Sequence, residues 1–222
     1  MASRINILTG AMIFLLVVLG SSCTKYDYID GGLAKGVHDC SMWDYFHTDS
    51  YDWDSTIVMI EHAGLKSLFD GTGEYKEITF FGLTNHSIRA YMLNNNLNLD
   101  EDSPRYLHRV TDISPAKCKD LLEKLVVPKR VMLKDVPRGT RVSITNTYLE
   151  TNGMTLECLG GTLFLWTVRD EWNQVKDAGA ITLSIASHNV KNAKNEVVAS
   201  TDIQTTNGIV QALNYNFDFK NF

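Results

Sequence analysis

The chain has 222 residues, of which 44% are hydrophobic and 21% charged, and a formal net charge of −5. These values fit one globular domain plus a leader, since single domains run to about 100–200 residues, and they exclude a disordered chain or a multi-span membrane protein. The acidic balance, with no cluster of Lys and Arg, argues against a nucleic-acid partner, because phosphate binding needs clustered cations that release counterions.

The first residues read as an export signal. Arg4 precedes an apolar stretch whose uninterrupted run covers only residues 11–19, whereas a membrane-spanning helix needs about 20 apolar residues. Leu19-Gly20-Ser21-Ser22-Cys23 then resembles a lipobox, in which the thiol is acylated and the chain is cleaved just before it. Gly20 stands where the usual box has Leu, with Leu19 one position earlier; the alternative is an ordinary thiol beside a conventional cleavage site. The resemblance divides the chain into a signal peptide over 1–22, a tether over 23–36 and a domain over 37–222, with Cys23 lipidated and the membrane a partner through that anchor. Each buried CH₂ contributes about 0.8 kcal/mol, so several acyl chains on one residue hold a protein on a bilayer without spanning it. Thr24 in place of aspartate, by resemblance to lipoprotein sorting signals, implies the outer membrane. Lys25, Asp27 and Asp30 resemble tags that send some lipoproteins to the cell surface, although a solvated tether beside Gly31-Gly32 carries the same charges. Of the remaining cysteines, Cys40, Cys118 and Cys158 cannot all pair, and although export permits a disulfide, buried free thiols are the expectation.

Along the mature chain, residues 38–46 read as a short helix with Met42/Tyr45 and Trp43/Phe46 at i, i+3 spacing. A polar stretch over 48–55 follows, whose last residues can cap a helix over 56–69. On that helix Ile57, Ile60, Gly64, Leu65 and Leu68 form one arc, and Glu61 falls inside it and must reach solvent or find a donor. A strand over 77–81 leads to Thr84-Asn85, a cap for a helix through Ile88, Tyr91 and Met92, and then to an Asn/Asp-rich loop over 94–103. Ser114-Pro115 reads as N-cap and first helical proline of a helix carrying Leu121, Leu122 and Leu125 that stops before Pro128. Strands follow around Val142 and Ile144, Met154 to Cys158, 162–168, Ile181 to Ile185, 197–203 and 209–213. Asn207-Gly208 is a strong turn signal because both residues tolerate positive φ. Helices first and strands later define an α+β domain.

Three blocks in this order resemble the fasciclin domain family. They are Ala63-Gly64-Leu65-Lys66-Ser67-Leu68-Phe69, then Ile78-Thr79-Phe80-Phe81-Gly82-Leu83-Thr84-Asn85, then Asp202-Ile203-Gln204-Thr205-Thr206-Asn207-Gly208-Ile209-Val210, with Leu125-Val126-Val127-Pro128 similar to the end of the family's central helix. The resemblance covers residues 36–213 and implies a fasciclin-like wedge of β-sheet with several flanking helices, serving adhesion or ligand binding without catalysis. Three departures stand out: Gly82-Leu83 replaces Ala-Pro, Lys124-Leu125 stands where animal relatives carry the Tyr-His pair tied to integrin adhesion, and 166–180 is long for the family's hairpin.

No Gly-x-Ser-x-Gly turn outside the leader, His-Glu-x-x-His or phosphate-binding loop appears, and the six histidines lack metal spacing, so no catalytic residue, metal or cofactor is assigned. Asp49, Asp52 and Asp54 suit a calcium loop in charge but lack its turn glycine and bidentate glutamate, which leaves capping and solvation as their expected roles. Asp54-Ser55-Thr56 also resembles a short O-glycan acceptor. The aromatic group Trp43, Tyr45, Phe46, Tyr51 and Trp53 can be either core or a sugar-stacking platform. Core packing is the commoner fate of such a group, and if one of its members is exposed it is Trp53, between two aspartates; Trp53, Tyr51 and Trp172 make the candidate ligand set, with Trp166 and Trp172 on the long hairpin the weaker part of it. The expected partner is a surface protein or a polysaccharide, and the second reading is an accessory glycan-binding subunit of an outer-membrane capture system. A hydrolytic reading would pair Glu61 with a nearby acid at about 5–9.5 Å across a cleft.

Overall fold

The computed structural model describes residues 35–139, 152–188 and 194–222. The leader, Cys23, the tether to residue 34 and the strand expected around Val142 and Ile144 lie outside them.

The helical half is set by side-chain caps. Helix α1 (Met42–Phe46) starts where Ser41 Oγ accepts from the Asp44 amide at 3.1 Å. Helix α2 (Ser50–His62) starts earlier than the sequence suggested, because Asp49 accepts from the Tyr51 amide at 3.0 Å and Asp54 and Ser55 therefore lie inside the helix. Gly64, at φ +69, ends α2 in the left-handed conformation that a side chain would resist. The single helix expected over 56–69 is thus two, α2 and the short α3 (Lys66–Phe69). The buried face of α2 is also rotated from the expected arc: Trp53, Thr56, Met59 and Ile60 are buried, Ile57 and Leu65 are half-buried, and Glu61 is exposed to water.

Thr84 caps helix α4 (Asn85–Asn96) as expected, through the Ser87 amide. The helix takes in three asparagines, Asn94 to Asn96, that the sequence placed in a loop; Asn96 Oδ1 then accepts from the Leu107 amide at 2.8 Å and its Nδ2 donates to the Leu107 carbonyl at 2.8 Å, which holds the following loop against the helix end. Ser114 and Pro115 open helix α5 (Pro115–Glu123) in the roles expected of them.

Among the described residues, seven strands form one sheet in the order β2-β1-β7-β6-β5-β4-β3. They are β1 (Ile78–Gly82), β2 (Val126–Val127), β3 (Met154–Cys158), β4 (Gly161–Arg169), β5 (Ile181–Ser187), β6 (Glu196–Thr205) and β7 (Gly208–Leu213). All neighbours are antiparallel except β1 and β7, which run parallel from Ile78 opposite Gly208 to Gly82 opposite Ala212. Both strands are buried on both faces, as the central parallel pair of a covered sheet must be. The two ends of the sheet approach each other where the Leu159 amide donates to Val126 O at 2.9 Å, so the sheet nearly closes on itself.

The turn signals read from the sequence hold the centre together. Asn207 Oδ1 accepts from the Met42 amide at 2.7 Å and its Nδ2 donates to Phe69 O at 2.8 Å, tying the β6–β7 turn to α1 and α3. Asp202, at φ +59, forms a bulge in β6 and accepts from the Leu133 amide at 2.8 Å and from Gln211 Nε2 at 2.9 Å. Asn85 staples α4 to α2: its Oδ1 accepts from the Ser55 amide at 2.6 Å, and its Nδ2 donates to Ser50 O and Tyr51 O. One large core lies between the helices and the sheet, and a smaller cluster of Phe164, Trp166, Val168 and Ala186 covers the opposite face of β4 and β5.

Candidate functional site

Strands β5 and β6 pair at only two positions, Ser184 with Val197 and Ile185 with Glu196. Where they part, a cleft of about 580 Å³ opens, a size within the ordinary range of small-ligand sites. Trp166, Val168 and Val197 supply its apolar lining, and the chain after β7 closes one side with Asn214, Asn216, Asp218 and Asn221. That segment is pinned by aromatic anchors, Phe217, Phe219 and Phe222, all buried.

Glu196 is the acid at the centre of the junction. Its Oε1 accepts from Asn221 Nδ2 at 2.6 Å and from the Asp218 amide at 3.4 Å. Burial, against those two hydrogen bonds, pushes its carboxyl up to about 7, with the Asp218 charge raising it further and Lys194 lowering it. The Oδ1 of its neighbour Asn195 is shielded from solvent and has no hydrogen-bond partner.

A carboxyl bound more tightly to its proton in the folded chain than in the unfolded one stabilises the fold fully below the unfolded value, 4.5, and that stability is lost as pH rises through about 7. Unfolding free energy measured in urea is therefore expected to fall across this window by up to about 3 kcal/mol. Glu196→Gln should remove that slope; a slope unchanged in the variant would assign it to other groups.

A second feature lies at the α2–α4 corner. The rings of Tyr51 and His86 stand 5.5 Å apart, and those of His86 and Tyr215 4.4 Å apart. Tyr215 Oη donates to Asp52 Oδ1 at 2.8 Å, and this bond pushes the phenol up to about 12, so it stays protonated and fixed in place. Tyr51 is 65% exposed and Tyr215 44% exposed. The ring planes turn by 57° and 31° along the row, which makes a stepped edge rather than a flat plate.

The structure redistributes the residues that the sequence singled out. Trp53 is only 2% exposed and packs on Phe46 at 5.0 Å and Tyr45 at 6.2 Å, so it belongs to the core and not to a ligand platform. Trp43 and Phe46 are buried with it. Tyr51 is at the surface as expected, but its companions are His86 and Tyr215, which no sequence signal linked to it. Trp172 is 72% exposed at the tip of the β4–β5 hairpin, where it brackets a two-residue turn of Asn173 and Gln174, both at positive φ, opposite Val175. Trp166 is buried on the sheet. Asp49 and Asp52 are accounted for by the cap and by Tyr215, and Glu61 stands exposed near the end of α2, outside the cleft.

Cys40, Cys118 and Cys158 are free thiols. Burial pushes Cys118 up to about 11 and raises Cys158. Cys40 is half-buried rather than buried, because it precedes α1 instead of lying within it.

This α+β wedge, with the Asn207-Gly208 return placing β7 beside β1, defines a fasciclin-like fold. Among solved structures the chain is similar to a FAS1 domain pair from the insect cell adhesion molecule fasciclin I, with a TM-score of 0.52 and 16% identity over 82% of this chain and 52% of that one. The chain thus spans about half the length of that structure. No protein-family model and no curated protein matches it.

Proposed function

We propose that the chain is a lipid-anchored, outer-membrane protein whose fasciclin-like domain holds a partner by contact and performs no reaction on it. The observation that carries this reading is the ring row of Tyr51, His86 and Tyr215. Exposed aromatics held rigidly by a hydrogen bond to Asp52 and by the Asn85 staple contribute contact area at small entropic cost, as anchor residues of interfaces do. The stepped planes favour an irregular protein surface over a flat polysaccharide face. Binding of the purified chain to intact producing cells is expected to weaken about tenfold in Tyr51→Ala and Tyr215→Ala, at unchanged Tm. Full binding by the double variant would end this reading.

Capture of a polysaccharide as an accessory subunit is the second reading, favoured by the exposed Trp172 on its hairpin tip. A glycan array answers it: retention lost in Trp172→Ala but kept in Tyr51→Ala supports polysaccharide capture, and no retained glycan removes it.

The anchor has its own measurement. Labelled palmitate fed to the producing cell should enter the chain and be absent from Cys23→Ala; equal labelling of the two would defeat the anchor.

A further inference from the structure

The β4–β5 hairpin carries apolar surface that neither core cluster uses. The Trp172 amide donates to Val175 O at 3.1 Å and the Val175 amide to Trp172 O at 2.9 Å. Such an antiparallel pair puts both side chains on one face, and there Trp172 is 72% and Val175 59% exposed, with the exposed Ile181 at the foot of the hairpin. Trp172 is the one exposed indole of the four in the chain, since Trp43, Trp53 and Trp166 are buried. Among the described residues the hairpin has no excess of cations. Arg138 pairs with Asp177, Arg169 Nε donates to Gly179 O at 3.2 Å, and the exposed Lys176 is offset in formal charge by the exposed Glu171. The hairpin also lies at a particular end of the sheet. Strand β5 runs antiparallel to β6 with Ser184 opposite Val197, so the hairpin before β5 lies toward the end of β6. There the chain enters the domain: the Gln204 amide donates to Gly36 O and the His38 amide to Gln204 O, each at 2.8 Å. Tyr215 follows β7, whose Leu213 stands opposite Val198 at the start of β6, so the ring row lies at the other end.

We infer, resting on the lipid anchor proposed above, that the hairpin tip is a membrane-contact site that seats Trp172 and Val175 in the interfacial layer of the anchoring bilayer. The dozen residues from Cys23 to Lys35 reach at most about 40 Å, so an acylated Cys23 holds the entry end of the sheet, and the hairpin with it, near lipid. An indole favours the interfacial layer because its ring leaves water while its N–H stays hydrated. An apolar contact too weak to hold a free chain suffices at the local concentration that a tether imposes. Without a cation excess, the contact does not depend on anionic headgroups. The seated tip turns the ring row away from the bilayer, where a partner can reach it.

The test holds the full mature chain, from Cys23 onward, on phosphatidylcholine vesicles through an N-terminal histidine tag and nickel-chelating lipid, and reads tryptophan emission. On vesicles the emission is expected to shift to shorter wavelength, to be quenched by bromine carried on the lipid chains and to be shielded from aqueous iodide. The bromine-quenched component should be absent from Trp172→Phe and lost in Val175→Asp, both at unchanged Tm because neither side chain belongs to a core cluster. It should persist at about 0.5 M salt, where charge contacts at a surface are screened. Emission open to iodide and untouched by bromolipid, bromolipid quenching undiminished in Val175→Asp, or quenching that requires anionic lipid would each overturn the inference. The first of these, joined to glycan retention lost in Trp172→Ala, would give the indole to polysaccharide capture instead. Nickel replaces the acyl chains in this experiment, so a failed tip and a failed anchor have different readouts, and Tyr51→Ala tests the ring row separately.

Discussion

Gly208→Ala is expected to be the most damaging single substitution in the domain, lowering stability by on the order of 4 kcal/mol or preventing folding altogether. A Cβ at this position would stand 2.1 Å from the carbonyl oxygen of Ile78, a backbone atom of the neighbouring strand, and 3.0 Å from the Met42 side chain. Met42 could move, but Ile78 O cannot without unzipping β1 from β7, the one parallel pair in the sheet and its buried centre. Asn207→Ala acts at the same turn by a different route. It leaves the Met42 amide and the Phe69 carbonyl buried without partners, at about 1–3 kcal/mol each. Urea unfolding of the two variants separates these causes, since Asn207→Ser can recover part of the loss and no side chain at position 208 can. A Gly208→Ala chain as stable as the wild type would mean that β7 does not lie against β1 as described.

The turn that these variants attack was legible in the sequence, and so were the Thr84 and Ser114 caps, because each is local chemistry: a side-chain oxygen meeting an amide two or three residues on, or a backbone that needs positive φ. The strands from Met154 onward were legible for the same reason, their alternation reporting a half-buried sheet. What failed was inference from immediate neighbours. Asp52 and Asp54 flank Trp53 and suggested exposure, yet successive residues on a helix point about 100° apart, so two solvated neighbours are what a buried residue on an amphipathic helix should have. The caps of α2 shifted the helix start to Ser50, and with it the buried face turned toward Trp53. The cleft was not legible at all. Glu196 looks like any polar residue in an alternating strand, and its burial comes from Asn221 and the Asp218 amide, brought onto it by phenylalanines at the chain end that sequence spacing does not connect to it. The ring row was half legible: Tyr51 was singled out, but His86 and Tyr215 reach it through the Asn85 staple and the Asp52 hydrogen bond, both long-range contacts.

Trp53→Ala distinguishes a core residue from a ligand residue at the position where sequence and structure disagree. The indole is the largest fully buried side chain, in ring contact with Phe46 and Tyr45, and it lies so close on β1 that a Cβ on Gly82 would meet its ring carbons at 2.8 Å. Glycine at position 82, where the resembling family carries alanine, is thus the small residue that admits the ring. Truncation to alanine opens a cavity that the helix staples keep from collapsing, at about 3–5 kcal/mol, or a Tm lower by about 10 °C for a domain of this size. Tyr51→Ala, two residues away on the exposed side of the same helix, should change stability by about 0.5 kcal/mol or less. If Trp53 is core, any partner binding lost in Trp53→Ala returns when the temperature is lowered to refold the chain, and Gly82→Ala in the wild-type background destabilises by crowding the ring, an effect that Trp53→Phe relieves. A Trp53→Ala chain that keeps its Tm and loses its partner would instead place the indole at the surface, and the ring row would have to be redrawn around it.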